Sequence, residues 1–104
     1  MTLLNKEGKC KMLVGVCSMK LVMYDTDSLK AKRHIIKSVI ERIKSRFNVS
    51  IAEIGELDKW QLSEIGFCCI SNSRRHADEV IQSVINFIER DGRFDITSCE
   101  IDIY

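Results

Sequence analysis

Residues Ser28–Asn72, SLKAKRHIIKSVIERIKSRFNVSIAEIGELDKWQLSEIGFCCISN, decide the fold, because a long helical pattern runs straight into two strands separated by a short turn. Leu29, Ile36, Val39, Ile40, Ile43 and Phe47 fall on one stripe at 3.6-residue spacing, the pattern of a helix packed on a sheet. Asn48 closes that helix. Val49 to Gly55 then reads as a short strand, ELDKW as a turn, and Leu62 to Ser71 as a strand apolar on both faces beyond Ile65, hence central or nearly so.

Working outward, Met12 to Tyr24 (MLVGVCSMKLVMY) is a strand whose core-facing parity holds Leu13, Cys17, Met19, Leu21 and Met23. DTDS supplies the turn and N-cap of the first helix, with Asp25 and Asp27 near its positive end. Downstream, Asn72 or Ser73 caps a second helix to about Arg90, with Ala77, Val80, Ile81, Val84, Ile85 and Ile88 inward and Gly92 as its stop. A last strand alternates Cys99, Ile101 and Ile103 with Glu100, Asp102 and Tyr104. The order is βαββαβ. With right-handed crossovers it predicts an α+β, ferredoxin-like domain, a four-stranded antiparallel sheet with both helices on one face.

The chain of 104 residues suffices for one domain, residues 12–104, and its 45% apolar content, 30% charge and lack of Pro indicate compact structure with short connections. The longest apolar run, Met12 to Met23, is broken by Ser18 and Lys20 and is too short to cross a bilayer. Residues 1–11 lack the apolar segment of a signal peptide and read as a flexible leader, so a cytoplasmic location is expected. Cys10, Cys17, Cys68, Cys69 and Cys99 show no CxxC spacing and no nearby His pair; small buried hydrophobes are the expectation, rather than ligands of zinc, and no cofactor is expected.

Charge supplies the functional clue. Between Ser28 and Phe47, Lys30, Lys32, Arg33, Lys37, Arg42, Lys44 and Arg46 face a single acid, Glu41, giving +6 in a chain of net +1; the other 84 residues therefore sum to −5. Lys30, Arg33, Lys37 and Lys44 cluster on one flank of the apolar stripe and Arg42 and Arg46 on the other, a footprint suited to a phosphate backbone. The plainer alternative is a solvated helix face, which would ordinarily intersperse Glu. Lys32 falls near the apolar stripe, where its stem can snorkel.

The chain resembles the YlxP-like family of small bacterial proteins at VGVC (Val14 to Cys17), SLKAKR (Ser28 to Arg33), RFNVSIAEIG (Arg46 to Gly55), DKWQ (Asp58 to Gln61), IGFCCISN (Ile65 to Asn72) and the HADEV of the second helix. That resemblance implies a ferredoxin-like fold. It also implies, through the family's frequent gene neighbourhood with translation initiation and ribosome-maturation factors, an association with rRNA or a ribosomal subunit; it implies no established activity.

Three classes of function compete. A noncatalytic RNA- or ribosome-binding module would use the basic helix and would recognise shape and charge, because Phe67 alone does not make the aromatic pair of a base-stacking sheet. A homodimerisation or protein-interaction module would use Val14, Val16 and Val22 on the open sheet face. An enzyme is disfavoured: Gly15, Gly55 and Gly66 build no phosphate-cradling loop, and no small-molecule substrate suggests itself. Trp60, in a hairpin with Asp58 and Gln61, reads first as a lid on the end of the core and second as a stacking or docking platform. Glu53 reads as the partner of an Arg of the first helix. His34 and His76 read as ordinary exposed histidines, with Arg74 and Arg75 beside the latter as weaker phosphate contacts.

Overall fold

The computed structural model describes residues 12–104; the leader and Cys10 lie outside the described residues. The elements run β1 (Leu13–Val22), α1 (Leu29–Arg46), β2 (Ser50–Gly55), β3 (Leu62–Ser71), α2 (Arg74–Asp91) and β4 (Asp95–Ile103). All pairings are antiparallel and the strand order is β2-β3-β1-β4, so the chain has the α+β ferredoxin-like arrangement. β1 and β3 lie centrally, in register from Leu13–Ser71 to Val22–Leu62.

Local chemistry sets the helix ends. Ser28 Oγ accepts from the Ala31 N–H at 3.0 Å, and Ser73 Oγ accepts from the His76 N–H at 3.3 Å, each satisfying a donor with no partner inside its helix. α1 ends at Arg46 with Phe47 as its cap, one residue before the expected Asn48, because Phe47 turns to extended backbone. α2 stops at Gly92, whose φ of +80° is a left-handed conformation that glycine adopts without a Cβ penalty.

The core lies between the sheet and the helices. Cys17, Met19, Leu21 and Met23 of the β1 region meet Ile36, Val39 and Ile43 of α1, Ile65, Phe67 and Cys69 of β3, and Ala77, Ile81, Val84, Ile85 and Ile88 of α2. Each fully buried Leu or Ile there contributes about 1.5–3 kcal/mol. α2 approaches β1 closely at Gly15, where a Cβ would stand 2.9 Å from Ile81 Cδ1.

β4 departs from expectation in burial rather than in parity. Ile101 pairs with Cys17, and Cys99 with Met19, on the helix-facing side. Ile101 is nevertheless 43% exposed and Cys99 is exposed, because α1 lies over the opposite edge strand β2 and α2 lies chiefly over β1 and β3, which leaves the β4 edge largely uncovered. Cys68 and Cys69 face opposite sides of β3 as expected, Cys69 buried and Cys68 half-buried.

Candidate functional site

The helix layer carries the positive charge. Lys30, Arg33, Lys37 and Lys44 are all exposed on α1, and none of them forms an ion pair among the described residues. With a rise of 1.5 Å per residue they span about 21 Å. Exposed acids stand on α2, at Asp78, Glu79 and Glu89, and on the open face of β4, where Asp95, Glu100 and Asp102 lie opposite Val22, Ser18 and Val16 of β1. The basic charge is thus concentrated on α1, while α2 and the β4 edge of the sheet carry acids.

Lys32 does not snorkel. Its side chain is 0% exposed, and its ammonium lies 2.7 Å from Glu53 Oε2 while donating to the Glu56 carbonyl at 2.7 Å. Glu53 thus pairs with a lysine of α1 rather than with an arginine, because position 32 is the cation that points between helix and sheet. Ser63 donates to the same carboxylate at 2.6 Å, so charge and hydrogen bonds are satisfied together. Glu56 sits at φ +59°, a left-handed conformation unusual for a residue with a side chain, and Lys32 grips its carbonyl.

This anchoring inverts the expectation for Trp60. The space beneath the hairpin is filled by Lys32 and by Thr26, whose hydroxyl donates to the Trp60 carbonyl at 2.6 Å. With the inner side taken by polar anchors, the indole turns outward and is 55% exposed, with Leu57 also exposed and Asp58 and Gln61 at the surface beside it. Trp60 is not a lid on the core. Gln61 returns an amide hydrogen bond to the Thr26 carbonyl at 3.4 Å, so the hairpin is fixed while its apolar tip is free.

Arg42 and Arg46, expected behind the basic flank, belong to a separate site. They line an open groove of about 650 Å³ together with Asn86, Phe87, Arg90, Asp91 and Arg93. Arg42 lies with its guanidinium carbon 5.5 Å from the Phe87 ring centroid and Arg46 at 5.1 Å; Phe47 meets the same ring edge-on. Arg93 grips Asp91 through two hydrogen bonds of 2.5 and 2.8 Å, and Arg42 approaches the same carboxylate at 3.8 Å. Hydrogen bonding from Arg93 holds the Asp91 carboxyl below the usual carboxylate range, against the opposing effect of burial. Arg90 and Arg93 lie far from the basic helix in the chain, so the sequence offers only their spacing of three and six residues from Phe87 as a sign of this groove.

The remaining candidates fall as follows. Val14, Val16 and Val22 are half-buried on the open sheet face, where Val14 pairs with Ile70 (66% exposed) and Val22 with Leu62. Ile54 is exposed on the same side, its Cδ1 close above Gly66. His34 and His76 are both exposed, His76 Nδ1 sharing a hydrogen bond with Ser71 Oγ at 3.0 Å. Arg75 pairs with Glu79 at 3.2 Å, so it is not a free phosphate contact. Cys17 and Cys99 approach to 3.7 Å between sulfurs, and burial pushes the Cys17 thiol up to about 12. Among the described residues no group of three or more His, Cys, Asp or Glu is placed to hold a metal ion, and no helix is long and apolar enough to cross a membrane.

Fold and surfaces together define a small ferredoxin-like α+β protein with a basic helix layer and a partly apolar open sheet. The sequence model of the family described as "Protein of unknown function (DUF503)" matches residues 14–101, and the chain belongs to that family. It is 38% identical over 77 residues to the "Uncharacterized protein YlxP" of Bacillus subtilis (strain 168), a match covering 74% of this chain and 84% of that relative. Among solved structures it is similar to the "De novo designed protein Foldit4", with a TM-score of 0.51 and 15% identity over 88% of this chain and 96% of the other, a likeness of fold alone.

Proposed function

We propose that this protein is a noncatalytic RNA-binding module of the cytoplasm that docks on rRNA or a ribosomal subunit through the exposed face of α1. The observation that carries this function is the run of four exposed cations, Lys30, Arg33, Lys37 and Lys44, without an ion-pair partner among the described residues, along about 21 Å of one helix. A merely solvated helix would offset such a run with acids, whereas Glu41 is the single acid of α1. Four phosphate contacts give a salt slope of about −3 on a single strand, so affinity falls roughly 50-fold between 50 and 200 mM salt. The interaction calls for no cofactor and no small-molecule substrate.

The test is sedimentation with cell lysate on a sucrose gradient, at low and high salt, beside a variant carrying Lys30→Glu, Arg33→Glu and Lys37→Glu. Co-migration with a ribosomal subunit that the variant and high salt both abolish supports the proposal. Retention of the variant on the subunit overturns it.

The open sheet face favours a second function, homodimerisation, because Ile54, Leu62 and Ile70 are exposed beside Val14, Val16 and Val22. The two functions are compatible, since the basic helix lies on the opposite layer and a two-fold dimer would display two such helices. Sedimentation equilibrium decides the mass.

A further inference from the structure

The groove between the C-terminal halves of α1 and α2 is distinct in chemistry from the lysine-rich face. Its cations are all arginines, drawn from two helices and the loop after them: Arg42, Arg46, Arg90 and Arg93. Arginine presents a planar fork suited to gripping phosphate through paired N–H donors, and an aromatic face beneath it fixes the plane of that fork. Phe87 does this for two arginines at once.

The charge of the groove is specific. One carboxylate, Asp91, opposes the four guanidiniums, and both helices end there, each end worth about half a negative charge, which leaves about two net positive charges. Arg93 is committed to Asp91 and Arg42 leans on it, whereas Arg46 and Arg90 have no carboxylate partner among the described residues. Asn86 adds an exposed amide able to donate or accept beside them. A volume of about 650 Å³ exceeds what a bare phosphate fills and lies within the range of small-ligand pockets, about 300–1,000 Å³.

We infer that this groove binds the terminal phosphate of a ribonucleotide, a phosphomonoester dianion, gripped by Arg46 and Arg90 and backed by Arg42. An internal phosphodiester carries one negative charge; a terminal phosphate carries nearly two at neutral pH and matches the groove. The inference rests on the RNA-binding function and gives it a polarity: α1 tracks the backbone while the groove at its C-terminal end receives a strand end. Free mononucleotides present the same chemistry, and the experiment separates the two sources.

The experiment uses the full chain and a ten-nucleotide RNA, labelled at its 3′ end, carrying either a 5′-phosphate or a 5′-hydroxyl. Anisotropy titration is expected to show the 5′-phosphate form binding at least tenfold tighter. Arg46→Gln with Arg90→Gln should erase that preference while retaining the weaker binding, and the Lys30/Arg33/Lys37 reversal should weaken both RNAs alike. Equal affinity for the two RNAs, or a preference that survives Arg46→Gln/Arg90→Gln in a variant that melts like the parent, overturns the inference. If neither RNA binds, the RNA function itself fails, and the groove is then judged alone by titrating uridine 5′-monophosphate against amide chemical shifts. Saturable shifts at Asn86, Phe87 and Arg90 sustain a mononucleotide site, and unmoved signals overturn it.

Discussion

Lys32 and Glu53 meet at 2.7 Å beneath the β2–β3 hairpin, and this buried pair ties the one cation that α1 turns inward to the strand it covers. The same ammonium grips the Glu56 carbonyl, so helix, strand and turn share one donor. Removing the charge strands Glu53 beside the core, with Ser63 as its remaining partner, and frees a left-handed turn. Lys32→Met is therefore expected to destabilise by about 3–5 kcal/mol, with Glu53→Gln added to it restoring part of the loss. Lys30→Met on the exposed flank should stay within about 0.5 kcal/mol. Urea titrations of the four proteins check this, and a Lys32→Met loss below about 1 kcal/mol would contradict the clamp.

Helix α2 rests on β1 where Gly15 leaves room, so Gly15→Ala is an overpacking substitution. Its Cβ would meet Ile81 Cδ1 at 2.9 Å and Cys69 Sγ at 3.2 Å, and the expected cost is about 1–3 kcal/mol. Ile81→Val deletes the clashing methyl and alone costs about 0.5–1.5 kcal/mol. Combined, the two should cost less than their sum. Strict additivity in that double-mutant cycle would show that the Cβ is accommodated by some other movement.

Periodicity exposed most of this fold because the helix and strand stripes are uninterrupted: Ile36, Val39 and Ile43, then Ile65 and Phe67, then Ile81, Val84 and Ile88 all reach the core. What periodicity could not show was the third dimension of polar contacts. Lys32 falls within the apolar stripe, three residues after Leu29 and four before Ile36, and a sequence does not tell a snorkelling stem from an ammonium met by Glu53. Trp60 looked like core material because indole is large, yet the space beneath it was already held by Thr26 and Lys32. The arginine groove was invisible for a topological reason: Arg42 and Arg46 are about fifty residues from Arg90 and Arg93, and only helix packing brings them together.

Trp60 and Thr26 give opposite expectations from those their side chains suggest. Trp60→Ala removes an indole 55% exposed and leaves every backbone hydrogen bond in place, so its cost should be under about 1 kcal/mol. Thr26→Val keeps the shape but leaves the Trp60 carbonyl without its donor, at an expected cost of about 1–3 kcal/mol. Thermal melts of both variants rank them. A larger loss for Trp60→Ala would mean that the indole, and not its carbonyl, holds the hairpin.

Asp91 links stability to pH at the rim of the groove. Because Arg93 and, more weakly, Arg42 lower its folded pKa beneath the ordinary carboxylate value of 3.8, its contribution is fully present above that value and is lost as pH falls through the folded pKa. Asp91→Asn should accordingly lower Tm at pH 7 and flatten the decline of Tm on acidification below about pH 4, measured by calorimetry against the parent. The same substitution releases Arg42 and Arg93 from their shared counter-ion and adds one positive charge to the groove. Stability and anion affinity should then move in opposite directions, the variant melting lower yet binding a 5′-phosphorylated RNA more tightly at neutral pH. Weaker binding in the variant would show instead that Asp91 serves by holding its arginines in position, with their orientation outweighing the charge it subtracts.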